Sequence, residues 1–354
     1  MSQEETKELD GQGSQDKEFF GLLSRDIDVF GLADSTETIA ESILVLFQGV
    51  VGSIGCSSVT NPSILKSFVR QVQDGYREND YHNWLHVFCV VQQVATIFTE
   101  LHVSRFFSPR QRFLLMVSAL VHDLGHPGNS NDFEVNSNSL LAIRYDGKSV
   151  LENFHVDQAF DILKSTDSYD LFIGWTDDDR FEAHRFIKVC VLATDMAGHR
   201  SLQEEILQLL SSKNTITTNS NSNSNSTNGN SPDSHQHLDI SFSDEERLML
   251  AKSILHAADI SNSVRPFPTT KRLSQCVVSE FNKQAANEES LGLPVSVHMK
   301  PMDHASFCRS ECGFAQFVAR PFFAALYDGF PYADRSALAA IDANIEHWQV
   351  LVNS

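Results

Sequence analysis

The sequence predicts an all-α protein, a compact multi-helix bundle with long loops. Apolar residues recur at helical spacing from Ile39 to Val50. Helix-start signals stand at Asp34, Ser108 and Ser243, each followed three positions later by an acidic residue or glutamine. Strand signals are scarce, and no alternating run bounded by a tight two-residue turn indicates a hairpin.

Two polar segments define the predicted domain organisation of the chain. Residues 1–33 are polar and Gly-rich, and we expect a flexible N-terminal arm there. Residues about 211–241 form an Asn/Ser-rich tract with too little apolar surface to fold, which predicts a long disordered insertion. Because candidate metal ligands lie on both sides of this tract, residues 34–354 are predicted to form a single domain.

Composition excludes several classes of function. The chain has 354 residues and a net charge of −19, so it lacks the basic surface by which proteins grip nucleic acid. Six cysteines occur without a C-x-x-C pair, as in a reducing compartment. The start of the chain resembles no signal peptide, and no apolar run is long enough to cross a membrane. We therefore expect a cytoplasmic protein.

Fourteen histidines provide the first indication of chemistry. His82 and His86, in YHNWLH, are four residues apart and share one face of a helix. Such a pair also arises by chance in many helices. It becomes informative only together with other potential ligands.

A second cluster follows an apolar helix in LVHDLGHPG, where His122, Asp123 and His126 precede a Pro-Gly break. A carboxylate at the end of an apolar helix needs a cation or several hydrogen bonds. The alternative is a capped helix end with satisfied histidines.

Asp259, in LHAADISN, ends a third apolar helix, with an ordinary N-cap as the alternative. Joined with His86, His122 and Asp123, it completes a set of two histidines and two aspartates that suits zinc or another transition metal. Asp123 can bridge to a second, harder ion such as magnesium. This is the composition of a two-metal hydrolase site.

Six motifs in order carry a resemblance: YHNWLH, HDLGHPGNSN, SVLENFH, ATDMAGH, LHAADISN and ECGFAQFVARP. Over residues about 40–352 the chain resembles the catalytic domain of class I 3′,5′-cyclic nucleotide phosphodiesterases. The broader HD group of metal phosphohydrolases shares the His, His-Asp and Asp skeleton, but not the YHN, ATDM and LENFH segments.

The resemblance implies a metal site at the bottom of a deep pocket. It also implies hydrolysis of cyclic AMP, cyclic GMP or both to 5′-nucleoside monophosphates, in cyclic nucleotide signalling. Zinc would occupy the tight site formed by His86, His122, Asp123 and Asp259, with magnesium or manganese in the second. A hydroxide between the two ions would be the nucleophile.

The resemblance also implies roles around the metals. His82 matches the general acid that protonates the departing O3′, and Glu280 matches the carboxylate that orients it. His126, Glu152 and Asp195 match positions that hold water on the metals. An ordinary structural hydrogen bond is the alternative for each of these last three.

For the nucleotide base, the resemblance implies a clamp of Phe314 on one face and Val277 on the other. Met196 and Asn262 would line the same pocket, and Tyr81 of the YHN motif is assigned to it as well. A plain core position is the alternative for Phe314.

The chain departs from the family at Glu311, where members have a glutamine. A glutamine amide donates and accepts, whereas an ionised carboxylate only accepts. Guanine presents N1–H and N2–H₂ together, so we hypothesise a tilt toward cyclic GMP, or poor binding of both nucleotides. A buried, protonated Glu311 would mimic glutamine and remove the tilt. Milder departures are Gly125, in place of an acidic residue, and the segment 284–288.

Two other functions stay open at this stage. One is an HD-type phosphohydrolase acting on another nucleotide, and the other is a catalytically weak nucleotide-binding regulatory module. Protein partners are left open by the sequence.

Overall fold

The computed structural model describes residues 16–33, 35–164, 170–221 and 241–353, and these contain helices and no strand, which confirms the all-α prediction. All six cysteines are free thiols. Within these ranges, no helix combines the length and the apolarity that crossing a bilayer requires.

The α-helices are, in chain order, α1 (residues 16–22), α2 (Val29–Leu32), α3 (Thr36–Val51), α4 (Ser53–Val59), α5 (Pro62–Gly75), α6 (Trp84–Glu100), α7 (Pro109–Val121), α8 (Asn131–Asn136), α9 (Leu140–Arg144), α10 (Val150–Lys164), α11 (Asp177–Leu192), α12 (His199–Asn221), α13 (Asp244–Asp259), α14 (Phe267–Leu291), α15 (His304–Phe314), α16 (Arg320–Tyr327) and α17 (Ser336–Val352). Single 3₁₀ turns cover Val103–Phe106, Met196–Gly198, Ser261–Val264 and Val297–Met299, and a π-helical turn covers Ala315–Ala319.

Helix starts follow the predicted capping signals at two of three places. Ser108 and Ser243 each accept a hydrogen bond from the third amide of their helix and form complete capping boxes. At the third place the N-cap of α3 is Ser35, whose hydroxyl accepts from the amide of Thr38. The start signal was placed one residue early, at Asp34, which lies outside the described residues.

The N-terminal segment differs from the expected flexible arm. Residues 16–22 are helical, Val29 is fully buried, and Leu22 is nearly so. The side chain of Gln92 on α6 donates to the carbonyl of Leu22 at 2.8 Å. Apolar residues within this polar segment therefore pack against the bundle from residue 16 onward, while residues 1–15 lie outside the described part.

The predicted Asn/Ser-rich insertion, about 211–241, lies largely outside the described residues. Helix α12 continues to Asn221, beyond the predicted start of the insertion, and the described chain resumes at residue 241. One connected apolar core contains residues from both sides of this segment, from Leu22 to Ile341.

Helices α6 and α7 form the centre of that core. Nearly every residue of α6 is buried, and α7 is buried from Phe113 to Val121. Both pack against α13. The N-terminal end of α6 and the C-terminal ends of α7 and α13 meet, and this junction holds the candidate site.

Candidate metal centre and substrate cavity

Three helix ends deliver the four predicted metal ligands to one point. His86 lies in the first turn of α6, which begins because Asn83 caps it and accepts from the amides of Leu85 and His86. His122 and Asp123 directly follow α7, and Asp259 is the last residue of α13. We call these four residues, His86, His122, Asp123 and Asp259, the metal centre.

The ligand atoms of the metal centre lie close enough to share one ion. Nε2 of His86 is 3.2 Å from Nε2 of His122. Oδ2 of Asp123 lies 3.3 Å from the first of these nitrogens and 3.2 Å from the second. Oδ1 of Asp259 lies 3.2 and 3.4 Å from them. Four atoms bonded to one ion at about 2.0–2.1 Å in a tetrahedron lie roughly 3.3–3.4 Å apart, so these separations fit.

The hydrogen bonding of the centre also fits a cation. Nδ1 of His122 donates to the carbonyl of Ala119 at 2.9 Å, so the neutral ring directs the lone pair of Nε2 into the centre. Oδ2 of Asp123 is buried without a hydrogen-bond partner among the described residues. A lone pair facing buried carboxylate oxygens requires either a proton or a metal ion between them.

The charges in the centre are strongly coupled. Burial works to lower the pKa of His122, but the carboxylates of Asp123 and Asp259 outweigh it and raise the pKa well above its usual value. Burial likewise opposes ionisation of Asp123, and His122 and His86 hold the pKa of its carboxyl well below the ordinary range. A divalent ion would replace the proton that this arrangement otherwise retains.

His82 and Glu280 form a second unit beside the centre. Nδ1 of His82 pairs with Oε1 of Glu280, and Oε2 of Glu280 accepts from the backbone amides of Tyr81 and His82 at 3.0 and 3.2 Å. Burial favours the neutral imidazole, but the hydrogen bond to Glu280 and the charges of Asp123, Glu280 and Asp259 together outweigh it and raise the pKa of His82. The opposite partner, His82, lowers the pKa of Glu280 against the effect of burial.

His126 stacks on His82, with ring centroids 3.9 Å apart. The chain turns back between Asp123 and His126 because Gly125 takes a φ of 78°, a left-handed conformation that favours glycine. Nδ1 of His126 accepts from the amide of Gly128 at 3.0 Å. Its other ring nitrogen is thereby left to donate.

Glu152 and Asp195 lie close enough to each other for their charges to interact. Asn131 donates to both carboxylate oxygens of Glu152, at 3.2 and 3.0 Å. Burial and the neighbouring charge of Asp195 raise the pKa of Glu152 to about 7. Asp195 accepts from the hydroxyl of Ser149 at 2.7 Å and from the amide of Ala197 at 2.9 Å. Both carboxylates therefore have protein partners.

Sequence reasoning missed His155. Its Nδ1 donates to the carbonyl of Leu124 at 2.8 Å, and its Nε2 lies 3.8 Å from Oδ1 of Asp123. Burial lowers the pKa of its imidazole to about 4. With Asp123 and His126 it forms a second group of possible metal ligands. The signal was present in LENFH, where His155 follows Glu152 by three residues on one helix face.

A cavity of about 580 Å³ opens beside the metal centre and is bounded by His82 and Asp259. Every residue assigned to the substrate from the sequence lines this cavity, namely Tyr81, Met196, Asn262, Val277, Glu311 and Phe314. Asn262 donates to the hydroxyl of Tyr81 at 2.8 Å. Phe314 remains 36% exposed, so it is a cavity wall and not a core residue.

Sequence reasoning did not assign several residues of the cavity wall, among them Ser274, Phe281, His298 and Trp348. Ser274, on α14, donates its hydroxyl to Oε2 of Glu311, on α15, at 2.5 Å. Burial raises the pKa of Glu311, and the bond from Ser274 partly offsets that effect. Contacts between α14 and α15 leave no local pattern in the sequence.

The chain matches the model of one protein family, described as 3′5′-cyclic nucleotide phosphodiesterase, over residues 81–339. It is 30% identical over 292 residues to the mouse high affinity cGMP-specific 3′,5′-cyclic phosphodiesterase 9A, covering 82% of this chain and 49% of that protein. It is 30% identical over 290 residues to the 3′,5′-cyclic-nucleotide phosphodiesterase regA of Dictyostelium discoideum, covering 80% of this chain and 33% of that one. The chain thus spans half or less of the length of these curated relatives.

Solved structures match the fold as well. The phosphodiesterase domain of Salpingoeca rosetta rhodopsin phosphodiesterase superposes with a TM-score of 0.78 at 28% identity, over 94% of this chain and 92% of that one. LmjPDEB1 in complex with IBMX gives a TM-score of 0.79 at 26% identity, over 94% and 93% of the two chains.

Proposed function

The chain belongs to the 3′,5′-cyclic nucleotide phosphodiesterase family, and on that basis we propose that it hydrolyses 3′,5′-cyclic nucleotides to 5′-nucleoside monophosphates. One observation carries the proposal: two imidazole nitrogens and two carboxylate oxygens converge at the wall of a cavity large enough for a nucleotide. Within this convergence a buried oxygen of Asp123 has no hydrogen-bond partner among the residues that the structure describes.

We assign two divalent ions to the site. The metal centre would hold zinc, whose preferred ligands are imidazole and carboxylate, and Asp123 would bridge to magnesium or manganese near His126 and His155. When bound, these ions supply a Lewis acid for the phosphate and lower the pKa of water to about 7. In a chain of net charge −19 they also supply the local positive charge that a phosphate requires.

His82 is the proposed general acid. Its Nδ1 is paired with Glu280, so the Nε2 proton is available to the leaving O3′ when the P–O3′ bond breaks. Hydroxide derived from water forms the new bond to phosphorus, the O3′ leaves as a hydroxyl, and the phosphorus keeps its bond to O5′. Glu280 is a positioning residue, because it holds both the ring and the backbone of His82.

The base would lie between Phe314 and Val277, with Asn262, Tyr81 and Met196 completing the cavity wall. We propose a tilt toward cyclic GMP, because an ionised Glu311 accepts from the N1–H of guanine but faces an acceptor at N1 of adenine. A relative named as cGMP-specific is consistent with this assignment.

We place the protein in the cytoplasm, a reducing compartment that suits six free thiols.

The deciding experiment is hydrolysis of cyclic AMP and cyclic GMP side by side, with magnesium present, after chelation, and after return of zinc and magnesium. We expect release of a 5′-monophosphate that stops on chelation and recovers with metal. Failure to hydrolyse either nucleotide in a folded, metal-loaded protein would overturn the proposal. Nucleotide binding without turnover would then indicate a regulatory module, and release of phosphate from other nucleotides would indicate an HD-type phosphohydrolase.

A further inference from the structure

The hydrogen bond between Ser274 and Glu311 occupies one oxygen of a carboxyl group that lines the cavity. Ser274 is 3% exposed, and its hydroxyl donates to Oε2 of Glu311 at 2.5 Å. In the described part of the chain, this is the only hydrogen bond that either side chain makes. Oε2 is therefore occupied, and Oε1 is left for a ligand.

The same bond determines where a proton resides on Glu311. As long as Ser274 donates to Oε2, a neutral carboxyl carries its own proton on Oε1. That oxygen is then an acceptor when the group is ionised and a donor when it is protonated. A purine N1 distinguishes these two states, since guanine has a hydrogen there and adenine has a lone pair.

We propose that Ser274 is a positioning residue that makes Glu311 a protonation-dependent purine selector, favouring guanine in the ionised state and adenine in the neutral state. This inference rests on the proposed function, because it assumes that cyclic nucleotides occupy the cavity. It assigns to Ser274 a role that the sequence motifs do not indicate.

Few titratable groups surround Glu311, so burial and the hydrogen bond from Ser274 are the main influences on the pKa of its carboxyl group. Its own helix carries the thiols of Cys308 and Cys312, whose pKa values are raised by burial, and the Glu311 carboxylate adds to the rise at Cys308. Lys271 on α14 acts on the Cys308 thiol. His298 lies on the loop at the cavity wall, and His82 and Asp259 bound the metal side. The remaining wall near Ser274 is uncharged, and burial shifts the pKa of Glu311 upward.

The test is the ratio of kcat/KM for cyclic GMP to that for cyclic AMP, measured from about pH 5 to about pH 9. Ionisations that change kcat/KM equally for both substrates, including those of His82 and the metal centre, cancel in the ratio. We expect the ratio to rise with pH by about tenfold, the effect of one mismatched hydrogen bond. In Glu311→Gln the ratio should be independent of pH. A flat ratio in the native protein, or an equal rise in E311Q, would overturn the inference.

Ser274 is tested by two variants. Ser274→Ala removes a bond that favours the ionised carboxylate, so the rise should move to higher pH, with the change in KM and not in kcat. Ser274→Thr keeps the hydroxyl and should retain the native midpoint, and an S274A profile that matches the native one would remove Ser274 from this role. The dissociation constants of cyclic GMP and cyclic AMP can also be measured on His82→Ala, which should bind nucleotides while turning them over much more slowly. Their ratio should change with pH in the same way even if the protein proves to have no hydrolytic activity. Failure of the proposed function is therefore distinguishable from failure of the selector.

Discussion

Glu280 contacts His82 at two points and the preceding residue at a third: its carboxylate pairs with the His82 ring Nδ1 and accepts from the backbone amides of His82 and Tyr81. The two residues are 198 positions apart, on α14 and on the segment before α6. The carboxylate therefore fixes both the position and the proton affinity of the imidazole. Removing the Glu280 carboxylate should therefore change the pH dependence of the reaction.

We expect Glu280→Gln to shift the alkaline limb of kcat/KM to lower pH. His82 must be protonated to act as an acid, so activity is lost as pH rises through its pKa. Glu280 raises that pKa, and the amide of glutamine carries no charge to do so. The measurement is the pH profile for one cyclic nucleotide.

The matched control is Glu288→Gln, because Glu288 is a buried carboxylate two turns further along α14 that contacts Gln284 and not His82. Its profile should keep the native alkaline limb. An unshifted limb in E280Q would contradict the pairing as the source of the raised pKa.

His82→Ala should lower kcat by about 10²–10⁴-fold while both metals stay bound. His82 contacts Glu280 and His126, but it is not one of the four residues of the metal centre. Metal content by plasma mass spectrometry and turnover are measured on the same sample. His184→Ala, which removes a histidine stacked on Phe160, is the control and should leave both unchanged.

Loss of metal together with activity in H82A would assign His82 to the metal site instead. Unchanged turnover with full metal content would remove it from the role of general acid.

Asp259→Asn should show the opposite pattern, with loss of metal and of the thermal stability that metal confers. Asp259 Oδ1 lies 3.2 Å from His86 Nε2, and an amide supplies neither its charge nor its affinity for zinc. A ligand that binds only the folded state raises Tm, so chelation should lower the Tm of the native protein. Chelation should leave the Tm of D259N nearly unchanged.

The control is Asp157→Asn, which changes a half-buried carboxylate that is paired with Arg144 and accepts from the hydroxyl of Tyr145. Its metal content should equal that of the native protein. A chelation-sensitive Tm in D259N would indicate that the ion binds elsewhere.

Local patterns predicted the helix ends that build the site, because caps and apolar periodicity act within one turn. Ser108 and Ser243 are such caps, and Asp259 ends its helix as the apolar run indicated. Contacts between distant segments were predicted only where the family motifs supplied them, as for Glu280 and His82. Ser274 meets Glu311 across 37 positions through the packing of α14 on α15, and no sequence period records that packing.

The N-terminal segment is a second case in which the sequence pattern did not predict the packing. A polar composition over residues 1–33 predicted a flexible arm, because average polarity conceals the few apolar residues that pack. Val29 is 0% exposed and lies in the main core. Composition measures the mean of a segment, whereas burial depends on single side chains.

Val29→Ala should therefore lower the free energy of unfolding by about 2 kcal/mol, from two lost methyl-sized groups at about 0.8 kcal/mol each and the cavity they leave. Val350→Ala is the matched control, because that side chain is 68% exposed near the C-terminal end of α17 and its truncation should cost little. Urea unfolding of both variants, followed by circular dichroism, gives the two values. If V29A costs no more than V350A, the segment from residue 16 onward behaves in solution as the loose arm that its composition predicted, and its packing against α6 contributes little to stability.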